Sequence, residues 1–260
     1  MTIRCRFALL MATAICLPNA ICLPNICLGE VPESRDVYKG RRIAQTMHYT
    51  GAEWLIRENR ESEERCSLML TNLGIKPGMT IVDMGCGNGF YSLKMAQMTG
   101  KKGRVLAVDV QPQMLLYLRE RMEESDVENI TPILGSFHSP RLPPNTADLI
   151  LMVDVYHEFS HPVLMLREMR DSLKPDGLIV LLEYREEDPE VPIKPLHKMS
   201  KAQVDLEMKA NGFERAKEFT KLPWQHMLFY KKTSSPEDDK TSPGDRPTKK
   251  EKAPKDGVSK

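Results

Sequence analysis

Cysteine is scarce beyond the first 29 residues of this 260-residue chain: Cys5, Cys16, Cys22 and Cys27 precede that point, and only Cys66 and Cys86 follow it. Neither belongs to a C-x-x-C pair, which excludes a thiolate metal site or a disulfide framework as the basis of the fold. An excess of charge of one sign is missing too. The formal charge is +1 with 28% charged residues, so no global field draws the protein to nucleic acid or to an anionic membrane. Long hydrophobic runs are also absent. The apolar stretch from Phe7 to Leu17 falls short of the about 20 residues that a membrane-crossing helix needs, and Pro18 breaks it.

What is present divides the chain into four parts. Residues 1–29 carry Arg4 and Arg6 ahead of the apolar run, then I-C-L-P-N twice, at Ile15 to Asn19 and at Ile21 to Asn25. A basic start followed by a short apolar segment has the build of a secretory signal peptide, with the cut after Gly29 or Ala20. The expectation is an exported protein of the periplasm or cell envelope with no stable membrane span after cleavage. A leader that is not a working signal would leave it in the cytoplasm. Residues 30–73 read as a polar, helical N-terminal cap, with the charged run from Arg57 to Arg65 as its solvated face and Tyr38, Tyr49 and Trp54 as candidate lid residues. Residues 74–232 read as the main domain. The tail 233–260 holds Ser, Pro, Lys, Asp and Gly with almost no apolar side chain, a composition that predicts disorder.

Within 74–232 apolar runs alternate with amphipathic stretches, the pattern of a parallel sheet covered by helices on both faces. Strands are expected at Thr80 to Asp83, Arg104 to Val110, Ile130 to Leu134, Ala147 to Val153, Gly177 to Tyr184, Phe213 to Lys221 and Trp224 to Lys232. Helices are expected at Phe90 to Met98, Val163 to Leu173 and Lys201 to Ala210, and Met114, Leu115, Leu118 and Met122 form a core-facing stripe on another. After the first strand comes D-M-G-C-G-N-G, with Asp83, Gly85, Gly87 and Gly89. Glycines at alternate positions permit a sharp reversal and a close approach of ligand to main chain. A dinucleotide fingerprint would need glycine at position 90, which is Phe90. Asp109 ends the second strand 24 residues beyond Gly85, near the offset of about 20 at which a carboxylate meets ribose hydroxyls.

The turn resembles motif I of the class I S-adenosylmethionine-dependent methyltransferases, and L-K-P-D-G before the fifth strand resembles another of their turns. The string V-D-V-Y-H-E-F, with I-K-P-L-H-K-M downstream, is similar to a group of bacterial methyltransferases that often carry export signals. The resemblance implies a Rossmann-like α/β three-layer sandwich whose seven-stranded, mostly parallel sheet has an antiparallel last strand. It implies S-adenosyl-L-methionine as cofactor, held by Asp83, Gly85, Gly87, Gly89, Asp109 and Asp154. The family often has an aspartate for the adenine amine after the third strand; this chain has G-S-F-H there, so Ser136 and the Phe137 backbone take that place. The end of the fourth strand corresponds to the family's segment beside the transferable methyl, which makes His157 and Glu158 the catalytic pair facing the acceptor. That acceptor is expected to be a small molecule offering an N, O or C nucleophile; the oligomeric state is left open.

Two other functions fit some of the same residues. A metal hydrolase would draw its ligands from His157, Glu158, Glu183, His197 and His226. A binding module without catalysis would use the same cleft, because a fold does not determine an activity.

Overall fold

The computed structural model describes residue 31 and residues 33–233. The leader and the tail from residue 234 lie outside the described residues, as do the readings of export and disorder that rest on them. The described chain opens with a hairpin of β1 (Val37–Tyr38) and β2 (Arg41–Arg42). Lys39 and Gly40 close it, both at positive φ, as a tight two-residue hairpin turn requires. A 3-10 helix over Tyr49–Ile56 and two short helices, α1 (Arg60–Glu64) and α2 (Cys66–Asn72), follow. The segment is helical only from Tyr49 onward, where composition had pointed to helix throughout.

The order then is β3 (Thr80–Met84), α3 (Phe90–Thr99), β4 (Arg104–Asp109), α4 (Pro112–Glu123), β5 (Ile130–Leu134) and β6 (Ala147–Val153). After it come α5 (Pro162–Ser172), β7 (Leu173–Arg185), β8 (Lys198–Met199), α6 (Lys201–Ala210), β9 (Phe213–Phe219) and β10 (Gln225–Lys232). Seven strands form a continuous sheet in the order β5-β4-β3-β6-β7-β10-β9, and the two-residue β8 pairs with the end of β7. The pairs from β5 to β7 are parallel, and β10 lies antiparallel between β7 and β9. This is the expected Rossmann-like α/β architecture.

Alternation along the central strands assigns the two cores. Ile81, Leu149, Leu151, Val180 and Leu182 face α2, α3 and α4, while Val82, Ile150, Met152, Ile179 and Leu181 face α5 and α6. Because both faces are covered, β6 reads as an unbroken apolar run and not as an alternation. The L-K-P-D-G turn is not a separate turn: β7 already begins at Leu173, with a register shift against β6 between Ala147 and Leu149. Gly177 is needed there, since a Cβ would lie 2.8 Å from the Ala147 carbonyl oxygen.

The run Arg57 to Arg65 is a solvated face at Glu58, Asn59, Glu61, Ser62 and Arg65, but two of its charges turn inward. Glu64 is 1% exposed and Arg60 5%. Arg57 Nη2 and Arg60 Nε donate to the two Glu64 carboxylate oxygens at 2.6 and 3.0 Å, and the Tyr184 hydroxyl donates to Oε1 at 3.0 Å. Three donors compensate the buried charge, so the cluster is tolerated where an isolated one would be expelled. Only the i, i+4 spacing of Arg60 and Glu64 hinted at it in the sequence.

Ile150, fully buried in the central strand, should cost about 2–5 kcal/mol of unfolding free energy when changed to Ala. Leu116→Ala, on the exposed side of α4, should cost less than about 0.5 kcal/mol. Urea unfolding followed by circular dichroism measures both.

Candidate functional site

The chain reverses after β3 through Gly85, Gly87 and Gly89, at φ of 70°, 52° and 80°. A side chain at Gly85 or Gly87 would also be blocked, by Val155 at 2.4 Å and Leu55 at 2.5 Å from the would-be Cβ. The Gly85 and Cys86 amides donate to the Val108 carbonyl, tying the turn to the end of β4. There the Asp109 carboxylate accepts from the Gly87 amide at 2.9 Å and from the Gln111 amide at 2.8 Å. Burial raises its pKa, and those backbone donors oppose the rise.

This turn forms one wall of a cavity of about 520 Å³, a size ordinary for a small-molecule site. Gly85, Gly87, Asp109, Ser136, Asp154, His157 and Glu158 all line it. Asp83 and Gly89 do not. Asp83 lies beneath the turn, where its carboxylate accepts from the Ser92 hydroxyl at 2.5 Å at the start of α3, and Gly89 backs onto Leu118. Met114, expected in the core stripe, is buried there and also borders the cavity.

The N-terminal segment covers this cavity, with Met47, Trp54 and Leu55 in its wall. Gln111 holds the segment by its side-chain amide, accepting from the Tyr49 N–H at 2.8 Å and donating to the Met47 carbonyl at 2.9 Å. Asn88 of the glycine turn donates to the Ala52 carbonyl at 2.9 Å. Of the three lid candidates, Trp54 fills the role. Tyr49 contributes its backbone, and Tyr38 is buried with its hydroxyl accepting from Asn211. Gln111 and Asn88 went unnoticed in the sequence because an amide clamp has no spacing signature.

Asp154 sits at φ 53°, with Oδ2 accepting from Gln225 at 2.8 Å while the buried Oδ1 has no partner. Burial, with Glu64 and Glu183 nearby, raises its pKa well above the usual carboxylate range. Arg60 also reaches the wall, so a cation and an acid with an unused oxygen face one space.

At the other end His157 is 1% exposed. Its Nδ1 lies 2.6 Å from Glu183 Oε2, and Glu183 Oε1 accepts from the Tyr156 and His157 amides at 2.9 and 3.3 Å. Its Nε2 lies 3.0 Å from His197 Nδ1 and 4.0 Å from Glu158 Oε1. Burial opposes a charge on His157, but Glu183 outweighs it and raises the pKa. Burial pushes Glu158 up to about 7. For His197, burial together with the His157 charge and Lys194 lowers the pKa. Four of the five metal-hydrolase candidates therefore meet; His226 lies elsewhere, bonded to Glu187. The sequence does hold one local histidine pair at ligand spacing, His157 and His161 in H-E-F-S-H. That motif works on a single helix face, whereas here a 3-10 turn at Tyr156–Glu158 ends before His161, whose ring meets His138 edge to face.

The model of a methyltransferase domain family matches residues 75–233, more than half of the chain. The chain belongs to the class I S-adenosylmethionine-dependent methyltransferases. Among solved structures, a SAM-dependent methyltransferase from Aquifex aeolicus is 26% identical at a TM-score of 0.67, covering 71% of this chain and 98% of that one. A putative type 11 methyltransferase from Sulfolobus solfataricus, 24% identical at a TM-score of 0.54 and covering 66% and 95%, shares the fold. A ubiquinone/menaquinone biosynthesis C-methyltransferase from Shewanella sp. is 27% identical over 134 residues, 51% of this chain. The chain spans about half the length of the curated relatives it matches.

S-adenosylmethionine is the cofactor of this methyltransferase. The cavity fits it in the chemistry of its wall: the unpartnered, buried Asp154 Oδ1 awaits a donor such as an ammonium group.

The displaced Asp83 carries a pH signature. Burial raises its pKa from 3.8 to about 6, against the hydrogen bond from Ser92. Between those values the folded protein keeps a proton that the unfolded chain has lost, so this group's effect is a stability that falls as pH rises from 3.8 to about 6 and then levels. Asp83→Asn should flatten that part of the stability profile, measured by urea unfolding across the interval.

Proposed function

We propose that the protein transfers the methyl group of S-adenosylmethionine to a nucleophilic N, O or C atom of a small-molecule acceptor bound at the His157–Glu158 end of the cavity. The observation that carries this reading is a single cavity lined by Gly85 and Gly87 of the glycine turn, Asp109 and Asp154 together with the buried His157 imidazole and the Glu158 carboxyl. The cofactor supplies a methyl group already activated by its positive sulfur.

In this reading Asp109 accepts hydrogen bonds from the ribose hydroxyls through the lone pairs that its two backbone donors leave unused. Arg60 and Asp154 hold the amino-acid end as an ion-pair couple, and an ammonium beside Asp154 brings its pKa down again. Ser136 faces the adenine. The segment from Met47 to Leu55 closes over the bound molecule and limits water. His157, fixed by Glu183, and Glu158 bind the acceptor nucleophile and ease the loss of its proton. Positioning contributes most of the acceleration, because in-line transfer needs acceptor and methyl carbon about 3–3.5 Å apart and aligned. Carbon as the accepting atom is consistent with the Shewanella relative, a C-methyltransferase.

Asp109→Ala should weaken S-adenosylmethionine binding about 10–100-fold, the loss of charge-assisted hydrogen bonds, as read by calorimetry. His157→Ala should reduce donor-dependent methyl incorporation from a metabolite extract more than about 100-fold, while leaving the cofactor affinity within about threefold. Equal losses in both quantities would mark His157 as structural. Mass spectrometry of the methylated product identifies the acceptor, and no heat with the cofactor would overturn the reading.

A further inference from the structure

Three side chains at the acceptor end present ligand atoms to one point. His157 Nε2, His197 Nδ1 and Glu158 Oε1 all lie within 4.8 Å of one another, with separations of 3.0 Å between the nitrogens and 4.0 Å from His157 to Glu158. We propose that these three atoms bind one divalent transition-metal ion, with zinc as the type case, and that its open coordination position faces the cavity. The metal site stands on this geometry; its use in catalysis rests on the methyltransferase reading above.

Around a tetrahedral zinc ion with bonds of about 2.0–2.1 Å, ligand atoms lie roughly 3.3 Å apart. The two separations bracket that value, so small side-chain rotations suffice. Two imidazole nitrogens and one carboxylate oxygen form a set known for catalytic zinc and for non-haem iron, whereas magnesium and calcium prefer oxygen ligands alone.

The surroundings match those of a built site. Glu183 takes the Nδ1 side of His157 at 2.6 Å, which points the Nε2 lone pair at the other two ligands. This carboxylate–histidine arrangement orients metal-bound imidazoles generally. Glu183 is itself fixed by two backbone amides and is 1% exposed. His197 ends the 3-10 turn Pro195–His197 and leads directly into β8, whose Lys198 and Met199 pair with Tyr184 and Arg185 at the end of β7. The third ligand is thus delivered by a segment attached to the sheet. Glu158 and Glu183 bring two carboxylates to His157, against the cation Arg41, which donates to the His157 carbonyl at 2.9 Å.

All three ligands line the same cavity as Asp109 and Asp154. An ion there would take an oxygen of the acceptor in its open position and, as a Lewis acid, lower that group's hold on its proton. The acceptor class that follows is a small molecule bearing a hydroxyl group. The metal serves the role that His157 and Glu158 would otherwise have to fill by themselves.

The test is calorimetric titration of the chelator-treated full chain with zinc chloride, with magnesium chloride as control. Wild type should bind one zinc equivalent that His197→Ala loses or binds about 100-fold more weakly. Glu183→Gln should weaken it about 10–100-fold, and magnesium should give no comparable heat. His197 lies on a half-buried turn, and S-adenosylmethionine titration of the same variant checks that the pocket survives: its affinity should stay within about threefold. If wild type and His197→Ala titrate alike with zinc, or wild type takes up none, the metal site is wrong while the cofactor result still stands. If zinc binding behaves as expected and the cofactor gives no heat with wild type, the site is real and the methyltransferase reading fails.

Discussion

The amide of Gly87 donates to Asp109 across the gap between two adjacent parallel strands, and the architecture of the site depends on that contact. It binds the loop after β3 to the end of β4, and with the Gly85 and Cys86 amides on Val108 it closes the floor of the cavity. Because each Asp109 oxygen is engaged by one backbone donor, the carboxylate has a fixed orientation before any ligand arrives. The glycines serve this contact twice over: their positive φ lets the amides turn inward, and their missing Cβ atoms leave space for Val155 and Leu55.

A second layer of constraint comes from the N-terminal segment. Over the cavity it is held by polar clasps: Gln111 on Met47 and Tyr49, Asn88 on Ala52, and Glu158 accepting from the Met47 amide at 3.1 Å. The buried Glu64 cluster anchors its far end to Tyr184 on β7. Glu158 therefore touches both the cover, through the Met47 amide, and His157 in the cavity wall, so that the cover and the wall are joined through one side chain. Burial of Asp83, Asp109, Asp154 and Glu158 raises the pKa of each, a concentration of destabilised acids that is common where ligands bind.

The gradient of legibility along the chain follows the range of the interactions involved. β3, β4, β6 and α3 were readable because strand and helix periodicity are local, and β6 could be recognised as central from an apolar run that only burial on both faces permits. The glycine turn and Asp109 were readable because main-chain reversal and a strand-end carboxylate leave residue types at fixed offsets. Asp83 shows the boundary of that reasoning: its position in the motif was evident, but its side chain turns toward Ser92 and away from the cavity.

By itself, the sequence determined the α/β alternation, the placement of the glycine turn and the position of Asp109 at the next strand end, since each depends on neighbours within one β-α-β unit. Tertiary structure alone decided that His197 joins His157 from a segment 40 positions away, that Glu183 stands behind it, that Arg60 and Glu64 of the charged run are buried, and that Gln111 clamps the cover. Those contacts join elements distant in the chain, and a side chain's partner across such a distance is selected by the packed sheet and has no local pattern to announce it.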